Sequence, residues 1–119
     1  KKNMKKILVL LFSMLISLNA ISLDYDYTVY KKNPSLFNDY LYGLESGMGW
    51  YDSTNRVTNA KQFYCQPSNL ALGLDTIKNI IDGQVKEFSN NGWTNEEIDE
   101  SPIGMILLVG LSSTFPCNE

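Results

Sequence analysis

The chain has 119 residues, which is enough for one domain. It contains ten Lys and Arg, thirteen Asp and Glu, two Cys and no His. Without His, catalysis by a Ser-His or Cys-His pair is excluded, and the commonest general base and metal ligand are missing. No CxxC pair and no glycine-rich phosphate loop after a strand occurs. We therefore expect a protein that is not an enzyme and that binds neither a metal nor a cofactor.

Residues 1–22 have the pattern of a signal peptide. Lysines precede an apolar segment at residues 7–18, and the small residues Ala20 and Ser22 follow it. We predict cleavage after Ser22, with cleavage after Ala20 as the alternative. The apolar segment is shorter than the ~20 residues that a spanning helix needs, so a retained membrane anchor is the less favoured interpretation. The sequence predicts an exported protein that is soluble after cleavage.

The predicted mature chain is strongly acidic. Cleavage would remove four lysines and leave six basic residues against thirteen acidic ones, a net charge of -7. Six scattered cations cannot form a face that neutralises phosphates, so we expect no nucleic-acid partner and no binding to anionic membranes. A basic protein partner would suit this charge, because electrostatic attraction speeds association. Solubility alone is the other interpretation of the same charge.

The two cysteines, Cys65 and Cys117, are expected to form a disulfide. Export would place them in an oxidising compartment, where a lone pair of cysteines normally bonds. Closing so long a loop stabilises a domain by about 4 kcal/mol in the chain-entropy model. Such a contribution matters in a domain of fewer than about 100 residues.

The first part of the mature chain predicts an arm followed by a helix. Residues 23–33 show no helical stripe, so we expect an extended N-terminal arm before a helical domain at 34–119. The first helix is predicted from about residue 34 to residue 53. Gly43 and Gly47 lie four residues apart on one face of it. Because Gly weakens a helix, the pair suggests helix packing, with another helix backbone close by.

Two further helices are predicted. The second begins near Pro67 and ends in the Asn-Asn-Gly run before Trp93. Its apolar residues step by three and four positions: Leu70, Leu74, Ile77, Ile81, Val85 and Phe88. The third has Pro102 at its first position and is apolar almost all round over residues 103–111, which predicts burial in the core or at a subunit interface. No strand pattern is present, so the predicted fold class is all-α, a small bundle of three main helices.

An acidic segment joins the last two predicted helices. Thr94 and Glu97 have the spacing of a capping box. The segment lacks the alternating ligands and central Gly of a calcium loop, which favours a solvated acidic loop over a metal site. Trp93 beside it is either a core residue or a binding anchor, because Trp is enriched at interaction hot spots. The candidate partner-binding residues are Trp93, Glu96, Glu97, Asp99 and Glu100.

Three short motifs carry a resemblance to a known family. They are GLESG at 43–47, FYCQP at 63–67 and FPC at 115–117. In their order, and after a signal peptide, they resemble the Rap/Tai-type immunity proteins. These are periplasmic proteins of Gram-negative bacteria that are associated with type VI secretion. That family shows a GYxxG-like helix segment, a Cys-x-Pro before a long helix and a final Phe-Pro-Cys, and the likeness covers about residues 40–117.

The resemblance implies a periplasmic, all-helical and often dimeric inhibitor of a peptidoglycan-cleaving amidase effector. Such proteins occlude the active site of the effector and protect the producing cell and its siblings. The Cys65–Cys117 pair matches the family's disulfide by position. Leu44 stands where the family has an aromatic residue, and the segment at 90–100 is longer and more acidic. The alternative function is a small periplasmic acid-stress chaperone with one disulfide, and a cell-wall enzyme ranks last.

Overall fold

Five α-helices make up most of the described part of the chain. The computed structural model describes residues 25–118, so the predicted signal peptide at 1–22 lies outside the described residues. The helices are α1 (Tyr27–Lys32), α2 (Asn38–Val57), α3 (Leu74–Asn90), α4 (Asn95–Asp99) and α5 (Ile103–Thr114), and a 3₁₀ turn at Pro34–Phe37 precedes α2. Residues 25–118 contain no strand, and three of the helices are long. The predicted all-α fold with three main helices is confirmed.

The contact between α3 and α5 forms the centre of the molecule. The apolar stripe of α3 buries Ile77 and Ile81 completely, and α5 buries Ile106 and Leu107 completely. Burial of one such side chain stabilises a fold by about 1.5–3 kcal/mol. Sequence left open whether the apolar helix, now α5, packs in the core or at a subunit interface. The inward face of α5 is buried in the core of this chain.

Gly110 allows the two central helices to approach closely. A Cβ atom at this position would lie 2.6 Å from Cγ2 of Ile80 and 3.2 Å from the Ile80 carbonyl oxygen. Real Cβ atoms do not approach other heavy atoms so closely, so only glycine fits here without a shift of the neighbouring helix. Next to this contact, the buried Gln84 side chain accepts a hydrogen bond from the Ser113 hydroxyl at 3.3 Å.

The prediction that Gly43 and Gly47 pack against another helix is not met within residues 25–118. Both residues lie in α2 as expected, but both are exposed, and no atom of the described residues lies within 4 Å of a Cβ built at either position. The core-facing side of α2 is carried instead by Leu41, which is fully buried. The helix also starts and ends about four residues later than predicted, because Pro34 opens a 3₁₀ turn and α2 continues to Val57.

The extended arm predicted at residues 23–33 is helical over Tyr27–Lys32. Tertiary contacts explain the difference. Tyr30 is 3% exposed and meets the ring of Phe37 edge-on at 5.8 Å. The Tyr27 amide donates to the Ser101 carbonyl at 2.9 Å, which fixes the start of α1 against the chain before α5. Aromatic packing of this kind leaves no periodic apolar stripe in the sequence.

The segment between α2 and α3 is irregular and is closed by the disulfide. Cys65 and Cys117 are bonded, with their Cα atoms 4.9 Å apart, so the predicted disulfide is confirmed. The Cys65 amide also donates to the Phe115 carbonyl at 2.7 Å. The Leu70 amide donates to the Pro67 carbonyl in a turn, and α3 begins at Leu74 rather than near Pro67 as predicted. Helix α3 ends as predicted in the Asn-Asn-Gly run, where Gly92 adopts a φ of 90°.

Candidate partner-binding surface

Trp93 lies on the surface immediately after α3. Its ring stacks on that of Phe88, with centroids 4.4 Å apart and an angle of 14° between the planes. Phe88 is 8% exposed, whereas Trp93 is 40% exposed. The Trp93 amide donates to the Phe88 carbonyl at 3.0 Å, and this bond fixes the turn. The Trp93 ring therefore covers a core residue with one face and keeps part of its surface exposed.

The Glu97 carboxylate forms hydrogen bonds within the local structure. Its carboxylate accepts hydrogen bonds from the Thr94 amide at 2.7 Å and the Thr94 hydroxyl at 3.0 Å. The Glu97 amide in turn donates to the Thr94 hydroxyl, which completes the predicted capping box of α4. The hydrogen bond from the Thr94 backbone, followed by that from its side chain, lowers the pKa of Glu97. Glu97 thus caps the start of α4 through one carboxylate oxygen, Oε2, while its side chain remains exposed.

Asp99 also forms contacts within the fold, and these contacts join α4 to α1. Its carboxylate forms an ion pair with Lys31, and its carbonyl accepts a hydrogen bond from the Thr28 hydroxyl at 2.9 Å. Both charged side chains of the pair are partly exposed, so the pair contributes no more than about 1 kcal/mol to stability. The carbonyl contact and the ion pair together fix the direction of α4 relative to α1.

Glu96 and Glu100 remain available. Both are exposed, and neither carboxylate has a hydrogen bond or ion pair within the described residues. They are four residues apart, so they lie on one face of α4 and its C-cap. We group Trp93, Glu96 and Glu100, which lie close together in sequence at and around α4, under the name Trp93 surface. The group has one accessible ring and two carboxylates that are unpaired among the described residues, and it contains three of the five candidate residues.

A polar cleft of about 180 Å³ was not predicted from the sequence. It lies between α2 and the segment before α3, and Asp52, Arg56 and Tyr64 are among its lining residues. Asp52 is 6% exposed and accepts hydrogen bonds from Gln62 at 2.7 Å and from Arg56 at 3.2 Å. Arg56 also donates to the Gln66 carbonyl at 3.2 Å. The i,i+4 spacing of Asp52 and Arg56 was the available sequence signal.

This polar network holds the segment that carries Cys65. Burial, followed by the negative charges of Asp52 and Glu45, raises the pKa of Tyr64 to about 12, so its hydroxyl is neutral at physiological pH. Burial also raises the pKa of the Glu45 carboxyl. Every polar partner of Asp52 comes from α2 or the adjoining segment. We therefore assign the cleft a structural role beside the disulfide.

The described residues offer no metal centre and no spanning helix. No group of three or more His, Cys, Asp or Glu side chains within residues 25–118 is arranged to hold a metal ion. In the same range, no helix is both long and apolar enough to cross a membrane. No protein-family model, curated protein or solved structure matches the chain.

Proposed function

We propose that the chain is a periplasmic immunity protein that binds and blocks a type VI secreted, peptidoglycan-cleaving amidase effector. The proposal rests on the signal-peptide pattern, on the three family-like motifs and on the Trp93 surface. In this function the protein is not an enzyme and has no cofactor. It protects the cell that produces it, and its siblings, by covering the active site of the effector.

The observation that carries the proposal is the construction of the Trp93 surface. The ring of Trp93 is held flat against Phe88, and the capping box of Thr94 and Glu97 fixes the helix that presents Glu96 and Glu100. A rigid aromatic side chain loses little entropy on binding, and unpaired carboxylates attract a basic partner. The surface would bind basic residues around the cleft of an effector without prior rearrangement.

A periplasmic co-expression experiment tests this function. The full precursor is expressed together with each candidate amidase effector of the same genome, directed to the periplasm, and lysis is scored. The proposal expects at least one effector whose lysis is prevented by the wild-type precursor. Secretion of every candidate effector with undiminished lysis would contradict it.

Matched variants then locate the inhibitory surface. The triple variant Trp93→Ala, Glu96→Gln and Glu100→Gln should lose protection while still accumulating in the periplasm. The control Asp39→Asn with Asp75→Asn also removes two negative charges, but from exposed positions near the starts of α2 and α3. This control should protect like the wild type. Equal protection by both variants would move the inhibitory surface elsewhere.

A further inference from the structure

The polar network in the cleft beside the disulfide leaves two polar side chains without a partner. The cleft lies between α2 and the segment before α3, and its volume is about 180 Å³. Asp52 and Arg56 pair with each other at 3.2 Å and hold this segment. Glu45 and Tyr64 also line the cleft, but neither side chain has a hydrogen bond or an ion pair within the described residues. The structural role of the network therefore does not account for these two side chains.

The Tyr64 hydroxyl opens into this cleft. Tyr64 is 2% exposed, and its ring belongs to the core. Within the described residues, every fully buried side-chain oxygen or nitrogen has a hydrogen-bond partner, so this unpartnered hydroxyl reaches accessible space. After burial, the negative charges of Asp52 and Glu45 raise the pKa of Tyr64 to about 12, and both carboxylates line the cleft. An almost fully buried phenol whose hydroxyl has no partner indicates that the cleft accepts a polar occupant.

Glu45 gives the cleft an unbalanced negative charge. Its side chain is half-buried, and burial raises the pKa of its carboxyl. The Arg56 guanidinium donates to Asp52 and to the Gln66 carbonyl and forms no ion pair with Glu45. Because Asp52 and Arg56 neutralise each other, the charge of Glu45 has no counterpart among the described residues that line the cleft. A carboxylate in this position costs free energy, and a cation that enters the cleft would recover it.

The lining of the cleft favours an organic ammonium over a metal ion. The described part of the chain has no group of three or more His, Cys, Asp or Glu side chains arranged to hold a metal. An ammonium has three donors, and the cleft offers the Glu45 carboxylate and the Tyr64 hydroxyl oxygen as free acceptors. Pro67 and Leu70 line the same cleft and are exposed, so they offer apolar surface to a methylene chain. Acceptors beside an apolar rim fit an alkyl ammonium.

We propose that this cleft binds an alkyl ammonium group, carried either by a lysine side chain of another protein or by a small free amine. The ammonium donates to the Glu45 carboxylate and to the Tyr64 hydroxyl oxygen, and its methylene chain lies against Leu70. The cleft shares no residue with the Trp93 surface. The inference therefore does not depend on the proposed immunity function, and its test needs no effector.

An NMR titration of the oxidised mature protein tests this site. Amide spectra are recorded with increasing 1,5-diaminopentane and, in a second series, with Nα-acetyl-lysine amide, at constant ionic strength. Saturable shifts around Glu45 and Tyr64 are expected, with a dissociation constant of about 1–10 mM for at least one probe. The uncharged Nα,Nε-diacetyl-lysine amide should cause no saturable shift. Binding of the lysine amide assigns the site to a protein lysine, whereas binding of the diamine alone assigns it to free amines.

Matched variants separate the site from general attraction to an acidic protein. Glu45→Gln should weaken binding at least about tenfold, and Tyr64→Phe, which removes only the hydroxyl, should weaken it about threefold to tenfold. The control Glu87→Gln makes the same chemical change at an exposed position of α3 outside the cleft, and it should leave the dissociation constant unchanged.

Thermal unfolding separates lost binding from lost folding. At pH 7, Glu45→Gln should melt at or above the temperature of the wild type, because it removes a half-buried carboxylate that has no partner in the described chain. Shifts that fail to saturate with either cationic probe up to about 50 mM would overturn the inference. An equal dissociation constant in a folded Glu45→Gln variant would do the same.

Discussion

Glycine has opposite roles at two positions in the helices. Gly110 is buried where α5 meets α3, and Ile80 occupies the space that a Cβ would need. Gly47 lies in open space, where a Cβ would have no atom of the described residues within 4 Å. Sequence spacing indicated the exposed pair in α2 because two glycines four residues apart are conspicuous. It gave no sign of Gly110, because a single glycine in an apolar run reveals nothing about what packs against it.

Gly110→Ala should destabilise the protein by about 1–3 kcal/mol. The added methyl group is forced against Ile80, and the cost of overpacking exceeds the gain in helix propensity. Gly83→Ala is the matched control, and it should stabilise by up to about 1 kcal/mol because its position is open. Urea unfolding of the two variants measures both effects. A neutral or stabilising Gly110→Ala would show that the helices can separate freely.

Thr94→Ala should lower the free energy of unfolding by about 1 kcal/mol and raise the pKa of Glu97. The loss of the cap leaves an amide of α4 unsatisfied, and one of the two hydrogen bonds that lower the pKa disappears. In the wild type this pKa lies below its ordinary value of 4.5. The stabilisation from Glu97 is therefore present above pH 4.5 and is lost as the pH falls through the lowered pKa.

A side-chain NMR titration of Glu97 measures this shift directly. The midpoint should lie below 4.5 in the wild type and move upward in Thr94→Ala. Identical Glu97 midpoints in the two proteins would argue against the capping box.

Among the elements, those with a periodic apolar stripe were predictable. The stripe of α3 and the continuous apolar run of α5 identified two helices from the sequence. The spacing of Thr94 and Glu97 predicted the capping box, but the segment that forms α4 was expected to be a loop. Their ends were less predictable when a distant contact sets them. Cys65 donates a backbone hydrogen bond to Phe115, 50 residues away in sequence, and the chain after it stays irregular until α3 begins at Leu74.

Helix α1 could not be predicted because its stability comes from tertiary contacts. An isolated helix of six residues does not form in water. It exists here because Tyr30 packs on Phe37 and because Thr28 and Lys31 bind Asp99. The same contacts explain why the structural role of Asp99 was not predicted. Asp99 binds partners about 70 residues away in sequence, which local spacing does not reveal.

The disulfide should stabilise the fold by about 4 kcal/mol. It joins residues 52 positions apart, and closing a loop of that length restricts the unfolded chain strongly. Guanidinium unfolding of Cys65→Ser with Cys117→Ser should show this loss, and wild type in excess reductant should behave alike. A double variant as stable as the oxidised wild type would mean that the hydrogen bonds around Cys65 alone hold this segment.

At the scale of the molecule, charge and apolar surface are separated. The Trp93 surface contains an accessible ring and two carboxylates that are unpaired among the described residues, whereas the apolar groove of about 430 Å³ between α2 and α5 has no charged residue among the described residues that line it. Composition predicted the overall acidity, but it could not show which carboxylates are unpaired. Contacts within the fold use one oxygen each of the Glu97 and Asp99 carboxylates, and they leave those of Glu96 and Glu100 without a partner among the described residues.

Inhibition of the purified amidase tests most directly whether the Trp93 surface blocks an effector. The inhibition constant of the mature protein is measured at low and high salt, together with that of Trp93→Ala/Glu96→Gln/Glu100→Gln. We expect the triple variant to inhibit at least about a hundredfold more weakly, a loss of about 2.7 kcal/mol or more, and to lose most of the salt dependence. The charge-matched Asp39→Asn/Asp75→Asn control should inhibit like the wild type. Equal inhibition by the wild type and the triple variant, with equal salt dependence, would contradict the claim.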